Sequence, residues 1–294
     1  MKVAAARYVI DAPRDFEAFA TKQRALLSEA ARAGAALAVL PEYLSLELAA
    51  WQSPEQRLDL VASLAALQPL EEAWHALYAG LARSLGLSIQ AGTFLTATGD
   101  GRYRNRAWWY SPDGRRVFQD KLQLTGFERQ LGVIEGGDAL HVFEAAPGLR
   151  AGIAVCYDCE FPLPVRAQCE AGARLLLVPS CTDTSAGATR VEVGCLARAL
   201  ENRCFVARAV TAGVARWSPA LDVNTGEAAI LAPMDRGFPA DGVLATTRGG
   251  DATWAIAEVD VDALESGRGQ AQVANDRDWP AQLAPGLRRA RLAG

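Results

Sequence analysis

Three residues of this chain could do chemistry together, and each stands just beyond a short run with strand character. Glu42 closes Ala38-Val39-Leu40-Pro41-Glu42, Lys121 follows Val117-Phe118-Gln119-Asp120, and Cys156 follows Gly152-Ile153-Ala154-Val155. A thiol attacks as its thiolate, so it needs a group to take its proton. If the target is a carbonyl carbon, it also needs a donor for the oxyanion. A carboxylate can serve the first need and an ammonium the second. Each residue alone also has an ordinary reading. Glu42 fits an exposed loop. Lys121 fits a surface ion pair with Glu128, seven residues on, worth about 0–1 kcal/mol. Cys156 fits a buried structural thiol, as we read Cys159, Cys169, Cys181, Cys195 and Cys204.

The elements that must carry these residues alternate between apolar β-type runs and helical patterns. Strands are predicted at Val3 to Tyr8, Ala36 to Leu40 (stopped by Pro41), Leu87 to Leu95, and Arg106 to Tyr110. The turn signal Ser111-Pro112-Asp113-Gly114 returns the chain into a strand at Arg116 to Gln119. Further strands are read at Leu140 to Glu144, Arg150 to Val155, Arg174 to Val178, Cys204 to Val210, Ala228 to Leu231, Gly242 to Thr246 and Trp254 to Val259. Helices fall at Asp15 to Ala33, at Glu55 to Leu85 with a break near Gln68-Pro69, at Pro162 to Ala171 and at Arg190 to Asn202. The continuous apolar strands imply sheets covered on both faces. With no linker or low-complexity stretch, we read residues 1–294 as one α/β domain. Ligand sites in such sheets form at the C-terminal ends of strands, where all three residues sit. At a strand-to-helix turn, backbone N–H groups ahead of the helix could lower the Cys156 pKa and bind an oxyanion.

Composition excludes several classes. Half of the 294 residues are hydrophobic, 22% are charged, and the net charge is −4, so no basic footprint for nucleic acid is present. The short basic run around Arg288 and Arg289 reads as a solvated tail. Arg7 and Asp11 interrupt the N-terminal apolar stretch too early for a signal peptide. No apolar run approaches the roughly 18 residues of a membrane span. A cytoplasmic protein with reduced thiols is therefore expected. Only His75 and His141 are available, neither at a strand end, so a Cys–His pair is unsupported and a carboxylate must act as base.

Rival motifs are weaker. Cys156-Tyr157-Asp158-Cys159 is a C-x-x-C between a strand and a helix, the setting of a thiol redox protein, but that reading leaves Glu42 and Lys121 unexplained. Zinc at Cys156 and Cys159 would need two more ligands, and Cys169 and Cys181 lack paired spacing. No Gly-x-Gly-x-x-Gly follows the first strand, which argues against a dinucleotide fold.

Taken as an ordered set, these segments resemble the nitrilase superfamily of carbon–nitrogen hydrolases. The resemblance runs from Val3 to about Asp260. It rests on Leu40-Pro41-Glu42, Lys121-Leu122 followed by Phe127-Glu128, and Val155-Cys156-Tyr157-Asp158 with Phe161-Pro162. Leu177-Val178-Pro179-Ser180 and the Arg198-Ala199 and Glu201-Asn202 helix before Cys204-Phe205-Val206 complete it. It implies a four-layer α-β-β-α sandwich, association as a homodimer or higher homo-oligomer, and a Glu42, Lys121, Cys156 triad supported by Glu128. Tyr157 and Asp158 after the cysteine resemble the amidase, ureidase and carbamoylase pattern, where true nitrilases have tryptophan and glutamate. Many family amidases carry an arginine shortly before Phe-Pro. Here Cys159 and Glu160 occupy that stretch, a departure in the charge beside the nucleophile.

The implied activity is hydrolysis of a small linear amide, or a ureido or carbamoyl compound, through a Cys156 thioester. Glu42 would be base and then acid, with Lys121 and the Tyr157 N–H holding the oxyanion. No metal or organic cofactor is required. Nitrile hydrolysis by the same triad is the alternative within the family. Tyr43, Tyr157, Ser180 and Thr182 are the expected substrate contacts, with Phe127, Trp217 and Asp183 as further pocket candidates.

Overall fold

The computed structural model describes residues 1–284, 287, 289 and 290. Arg288 lies outside the described residues, and Arg289 is exposed. Among the described residues fourteen strands join one continuous sheet. They are β1 (Lys2–Val9), β2 (Leu37–Leu40), β3 (Ser88–Gly99), β4 (Arg102–Tyr110), β5 (Arg116–Asp120), β6 (Ile134–Glu135), β7 (Val142–Ala146) and β8 (Leu149–Ile153), followed by β9 (Leu175–Ser180), β10 (Phe205–Val214), β11 (Val223–Asn224), β12 (Ala229–Leu231), β13 (Val243–Thr246) and β14 (Trp254–Glu258). The main path runs β5-β4-β3-β2-β1-β10-β9-β8-β7. The helices are α1 (Phe16–Arg32), α2 (Pro54–Leu58), α3 (Leu60–Leu67), α4 (Glu71–Leu85), α5 (Gly126–Leu131), α6 (Pro162–Glu170), α7 (Ser185–Asn202), α8 (Val261–Ser266) and α9 (Asn275–Asp278).

Strand β1 joins two halves of this sheet. Its first part pairs in parallel with β2, Val3 to Ala5 against Leu37 to Val39. Its last part pairs in parallel with β10, Arg7 to Val9 against Val210 to Ala212. Side chains alternate across a strand, so each half has two faces to cover. Val3, Ala5, Leu37, Val39, Ala107 and Trp109 of one half share a buried cluster with Ala151, Ile153, Leu175 and Leu177 of the other. The alternate residues Ala4, Ala6, Ala38, Leu40, Ile89 and Ala91 pack instead on Phe19 and Leu27 of α1 and on Trp74 and Tyr78 of α4. Helices α6 and α7 cover the second half through Val165, Cys169, Val191, Cys195 and Ala199. The result is the expected α-β-β-α layering, with the two sheets continuous through β1 where two separate sheets were expected.

Local signals explain most boundaries. Asp15 caps α1 by accepting from the Ala18 N–H at 2.8 Å, and the helix buries Phe19, Ala20, Gln23, Leu27 and Ala30. Helix α7 starts earlier than expected because Thr184 caps it by accepting from the Gly187 N–H at 3.1 Å. Short α5 was absent from the sequence reading. Its Thr125 and Glu128 form a capping box, a four-residue signal present in Thr125-Gly126-Phe127-Glu128.

One glycine sets the place of Glu42. The β3–β4 register shifts between Gln90 and Thr93, and Gly92 at the bulge has φ +68°. A Cβ there would lie 2.2 Å from the Pro41 carbonyl oxygen. The bulge therefore makes room for the chain leaving β2, and Thr93 Oγ1 accepts from the Tyr43 N–H at 2.8 Å. Gly92→Ala should destabilise the protein by at least about 2 kcal/mol, through the positive φ and the clash together. Thermal unfolding would measure it, and an unchanged Tm would refute this packing of β3 against Pro41.

Candidate functional site

The ends of β2 and β5 and the turn after β8 bring Glu42, Lys121 and Cys156 to one cavity of about 240 Å³. Lys121 Nζ lies 2.8 Å from Glu42 Oε1 and 2.9 Å from Glu128 Oε2, and all three side chains are about 1% exposed. This is a buried ionic triad. Removing one partner of such a set typically costs about 3–5 kcal/mol, because a charge is left unpaired. The surface reading of Glu42 and Lys121 is therefore wrong.

Every remaining oxygen of the two carboxylates is also used. Glu42 Oε1 accepts from Asn105 Nδ2 at 2.8 Å, and Glu42 Oε2 accepts from the Cys181 N–H at 3.1 Å. Glu128 Oε1 accepts from the Tyr43 hydroxyl at 2.7 Å and from Asn105 Nδ2 at 3.3 Å. Glu128 Oε2 accepts from the Thr125 N–H at 2.8 Å. Glu128 thus caps α5 and faces Lys121 at once. The Lys121 backbone is held as well: its N–H donates to Asn105 O at 2.9 Å, and its carbonyl accepts from the Gly137 N–H at 2.7 Å.

Cys156 sits at φ +46°, a left-handed conformation rare for a residue with a Cβ. Tyr43, next to Glu42, is likewise at φ +59°. Such strain persists only where the surroundings over-determine it. Around Cys156 the restraint comes from Asp158 and α7. Asp158 Oδ1 accepts from the Gln123 N–H at 2.7 Å and from Leu122 at 3.1 Å, and Oδ2 accepts from Val155 at 3.2 Å. One carboxylate thereby ties the segment after Lys121 to the turn that carries Cys156. Helix α7 presses on the turn through Gly194, where a Cβ would stand 3.0 Å from Cys159 O. Arg198 Nη1 donates to the same carbonyl at 3.4 Å.

The electrostatics follow from burial and these neighbours. Burial, and next the Glu42 charge, push the Cys156 thiol well above its ordinary pKa, with Lys121 only partly offsetting them. The resting sulfur is protonated and needs a base. Burial raises the Glu42 carboxyl, Lys121 pulls it down and Glu128 pushes it up, leaving it above the usual carboxylate value. Burial works against the Lys121 ammonium, but Glu42 and Glu128 outweigh it and hold the group charged. Burial also acts to raise Glu128, yet Lys121, Thr125 and Tyr43 keep it below its ordinary value. Asp158 is raised by burial to about 6, despite the N–H groups of Gln123 and Leu122. Asp158→Ala would leave three N–H groups without their acceptor. It should cost about 2–5 kcal/mol of stability and lower kcat more than it raises KM. Asp158→Asn, with one carbonyl oxygen left, should lose less. Equal kinetics for wild type and Asp158→Ala would contradict this role.

The other expected residues divide. Tyr43, Phe127, Tyr157, Thr182 and Asp183 line the cavity. Tyr43 spends its hydroxyl on Glu128, and Thr182 donates to Thr225 O at 2.6 Å. Ser180 is a correction. It is fully buried within β9, its hydroxyl donates to Val178 O at 3.4 Å, and the cavity is lined instead from Cys181 onward. Trp217 is not among the lining residues; it packs against the cluster that carries α1 and α4. Asn105 and Asp158 were missed as site residues because a single asparagine within a strand and an aspartate in a turn carry no spacing signal.

The C-x-x-C pair does not act as a unit. Cys159 turns to α7, donating to Val191 O at 3.7 Å with its sulfur 3.9 Å from that of Cys195, whereas Cys156 Sγ is 3.5 Å from Cys181 O. His75 lies elsewhere, its Nδ1 2.6 Å from the Tyr110 hydroxyl. Among the described residues, no group of three or more His, Cys, Asp or Glu side chains is arranged to hold a metal ion. No described helix is long and apolar enough to cross a membrane.

Comparisons over most of the chain show the class of protein to which it belongs. Residues 2–262 match the carbon-nitrogen hydrolase family model, and the chain belongs to that family. A probable hydrolase of Bacillus subtilis is 28% identical over 278 residues, 95% of this chain, and the chain spans about half of that relative's length (53%). A hydrolase of Mycobacterium tuberculosis is 30% identical over 83% of this chain and 85% of its own. An omega-amidase of Xenopus tropicalis is 25% identical over 86% of both chains. Among solved structures, an amidase from Nesterenkonia sp. superposes with a TM-score of 0.68 at 23% identity, covering 95% of this chain and 96% of that one. Nit3 of Saccharomyces cerevisiae, a member of the nitrilase superfamily, superposes at 0.70 and 18% identity over 94% and 96%.

Proposed function

We propose that this protein hydrolyses a small linear amide through a thioester on Cys156. The observation that carries the reading is the position of Lys121 Nζ, 2.8 Å from Glu42 and 2.9 Å from Glu128, in the cavity that Cys156 lines. Glu42 takes the thiol proton as sulfur attacks the amide carbon, forming a C–S bond and a tetrahedral oxyanion. Lys121 and the Tyr157 backbone N–H receive that oxyanion, each such donor being worth about 3–4 kcal/mol when removed. Glu42 returns the proton to nitrogen, the C–N bond breaks, and ammonia leaves. A water molecule gives its proton to Glu42, attacks the thioester and releases the acid, returning the proton to sulfur. Amide and water are consumed; carboxylic acid and ammonia are formed.

The names of the omega-amidase and amidase relatives support an amide in place of a nitrile. A second structure of the Nesterenkonia amidase shows acrylamide added at its active-site cysteine, which makes acrylamide a useful probe for Cys156 here. The cavity of about 240 Å³ falls below the roughly 300–1,000 Å³ of drug-sized pockets, in keeping with a small substrate. Tyr157 and Thr182 are its proposed contacts. The test is ammonia release from primary amides, ureido and carbamoyl compounds and nitriles, measured beside Cys156→Ala. Turnover of amides by wild type alone supports the reading, and turnover confined to nitriles replaces it with the nitrilase alternative. We also propose a homodimer. Leu163 on α6 and Val193 on α7, in the helices that cover the second half of the sheet, are 68% and 58% exposed. A monomeric mass by light scattering would dismiss it.

A further inference from the structure

Apart from Glu42, Lys121 and Cys156, four formally charged side chains line the cavity: Glu160, Asp183, Arg190 and Asp222. Three are acids and one is a base. Arg190 Nε stands 3.6 Å from Glu160 Oε1, a partly exposed pair that offsets the one cation in part. Among the described residues Asp183 and Asp222 form no ion pair, and the Asp222 carboxylate accepts only from the neighbouring Val223 N–H at 2.8 Å. Deeper in, the Lys121 ammonium faces two carboxylates, so no positive excess comes from the floor. An incoming carboxylate therefore meets a mouth with an excess of like charge, whose one cation already faces an acid.

We propose that the amide hydrolysed here carries a cationic group, such as a primary ammonium, at its far end. Asp183 and Asp222 receive that end. Glu160 is the specificity-determining residue, because it competes with a carboxylate-ended amide for Arg190. The inference rests on the hydrolase reading for the word amide, but the charge of the cavity mouth can be tested without turnover.

The test measures the rate at which Cys156 forms a mixed disulfide with three methanethiosulfonates: aminoethyl (cationic), methyl (neutral) and sulfonatoethyl (anionic). Rates are followed by mass spectrometry on the full chain, mapped to Cys156, normalised to a small free thiol and blanked with Cys156→Ala. The aminoethyl reagent should react about tenfold faster than the sulfonatoethyl reagent at low salt, a ratio that salt should compress. Asp183→Asn with Asp222→Asn should bring that ratio toward unity, and Glu160→Gln should raise the sulfonatoethyl rate by freeing Arg190. A normalised ratio at or below one, or a ratio unmoved by these substitutions, overturns the proposal. Hydrolysis of ω-aminopentanamide, pentanamide and glutaramate then separates the two readings. Glutaramate as the best substrate refutes the cationic end while leaving the hydrolase intact. The expected reagent ranking with no amide turned over refutes the hydrolase while leaving the charge selectivity intact.

Discussion

Cys156→Ala is expected to lower amide turnover by at least about 10⁴-fold with little change in thermal stability. Two other candidate nucleophiles that line the cavity are already engaged. The Thr182 hydroxyl is committed to Thr225 O, and the Cys181 thiol donates to Asn224 Oδ1 at 3.3 Å. Burial pushes the Cys181 thiol up to about 12, so it is not a ready thiolate. The fold should survive, because alanine keeps the Cβ already accommodated at φ +46° and loses one weak contact to Cys181 O. Ammonia release and thermal unfolding, measured on the same preparation, check both halves. Turnover above about one hundredth of wild type would mean that another nucleophile carries the reaction.

The parts of this site that were legible in the sequence are those that local order encodes. Leu37–Leu40 is an apolar run ended by Pro41, which cannot continue a central strand, and Gly152-Ile153-Ala154-Val155 runs without a polar residue into Cys156. They announce where a strand end delivers a side chain, and Glu42 and Cys156 are found there. The Ser111-Pro112-Asp113-Gly114 turn predicted the return strand whose end presents Lys121, and β5 indeed stops at Asp120. What stayed hidden depends on contacts between distant segments. Asn105 reaches Glu42 across 63 positions and Asp158 reaches Leu122 across 36. Neither distance leaves a trace in local periodicity. The two left-handed residues of the site were equally silent, since Tyr43 and Cys156 lack the glycine that normally marks positive φ. Their conformation is imposed by packing, Tyr43 by the Gly92 bulge and Cys156 by Asp158 and α7. Ser180 was misplaced for a local reason: the strand was expected to stop before Pro179, whereas β9 continues through it to Ser180 and the chain first opens to the cavity at Cys181.

Glu42→Gln should lower kcat by about 10²–10⁴-fold with a smaller change in KM. The argument is one of donors and acceptors. Glu42 Oε1 accepts from Lys121 and Asn105, and Oε2 accepts from the Cys181 N–H. Glutamine has one acceptor oxygen, so its NH₂ group must face either the ammonium or an N–H, donor against donor. The substitution removes the base and also loosens the group that holds Lys121. The pH profile separates the two effects. Glu42 accepts a proton only when ionised, so wild-type kcat/KM should fall as pH drops through a value above the ordinary carboxylate pKa of roughly 4.3. Lys121 pulls the Glu42 pKa down and Glu128 pushes it up. Residual activity in Lys121→Met should therefore show its acid limb at higher pH than wild type, and Glu128→Gln should show it lower. Opposite shifts are the signature of one buried carboxylate titrating between a cation and an anion. A common shift in both variants, or an acid limb that moves in neither, would place the catalytic base somewhere other than Glu42.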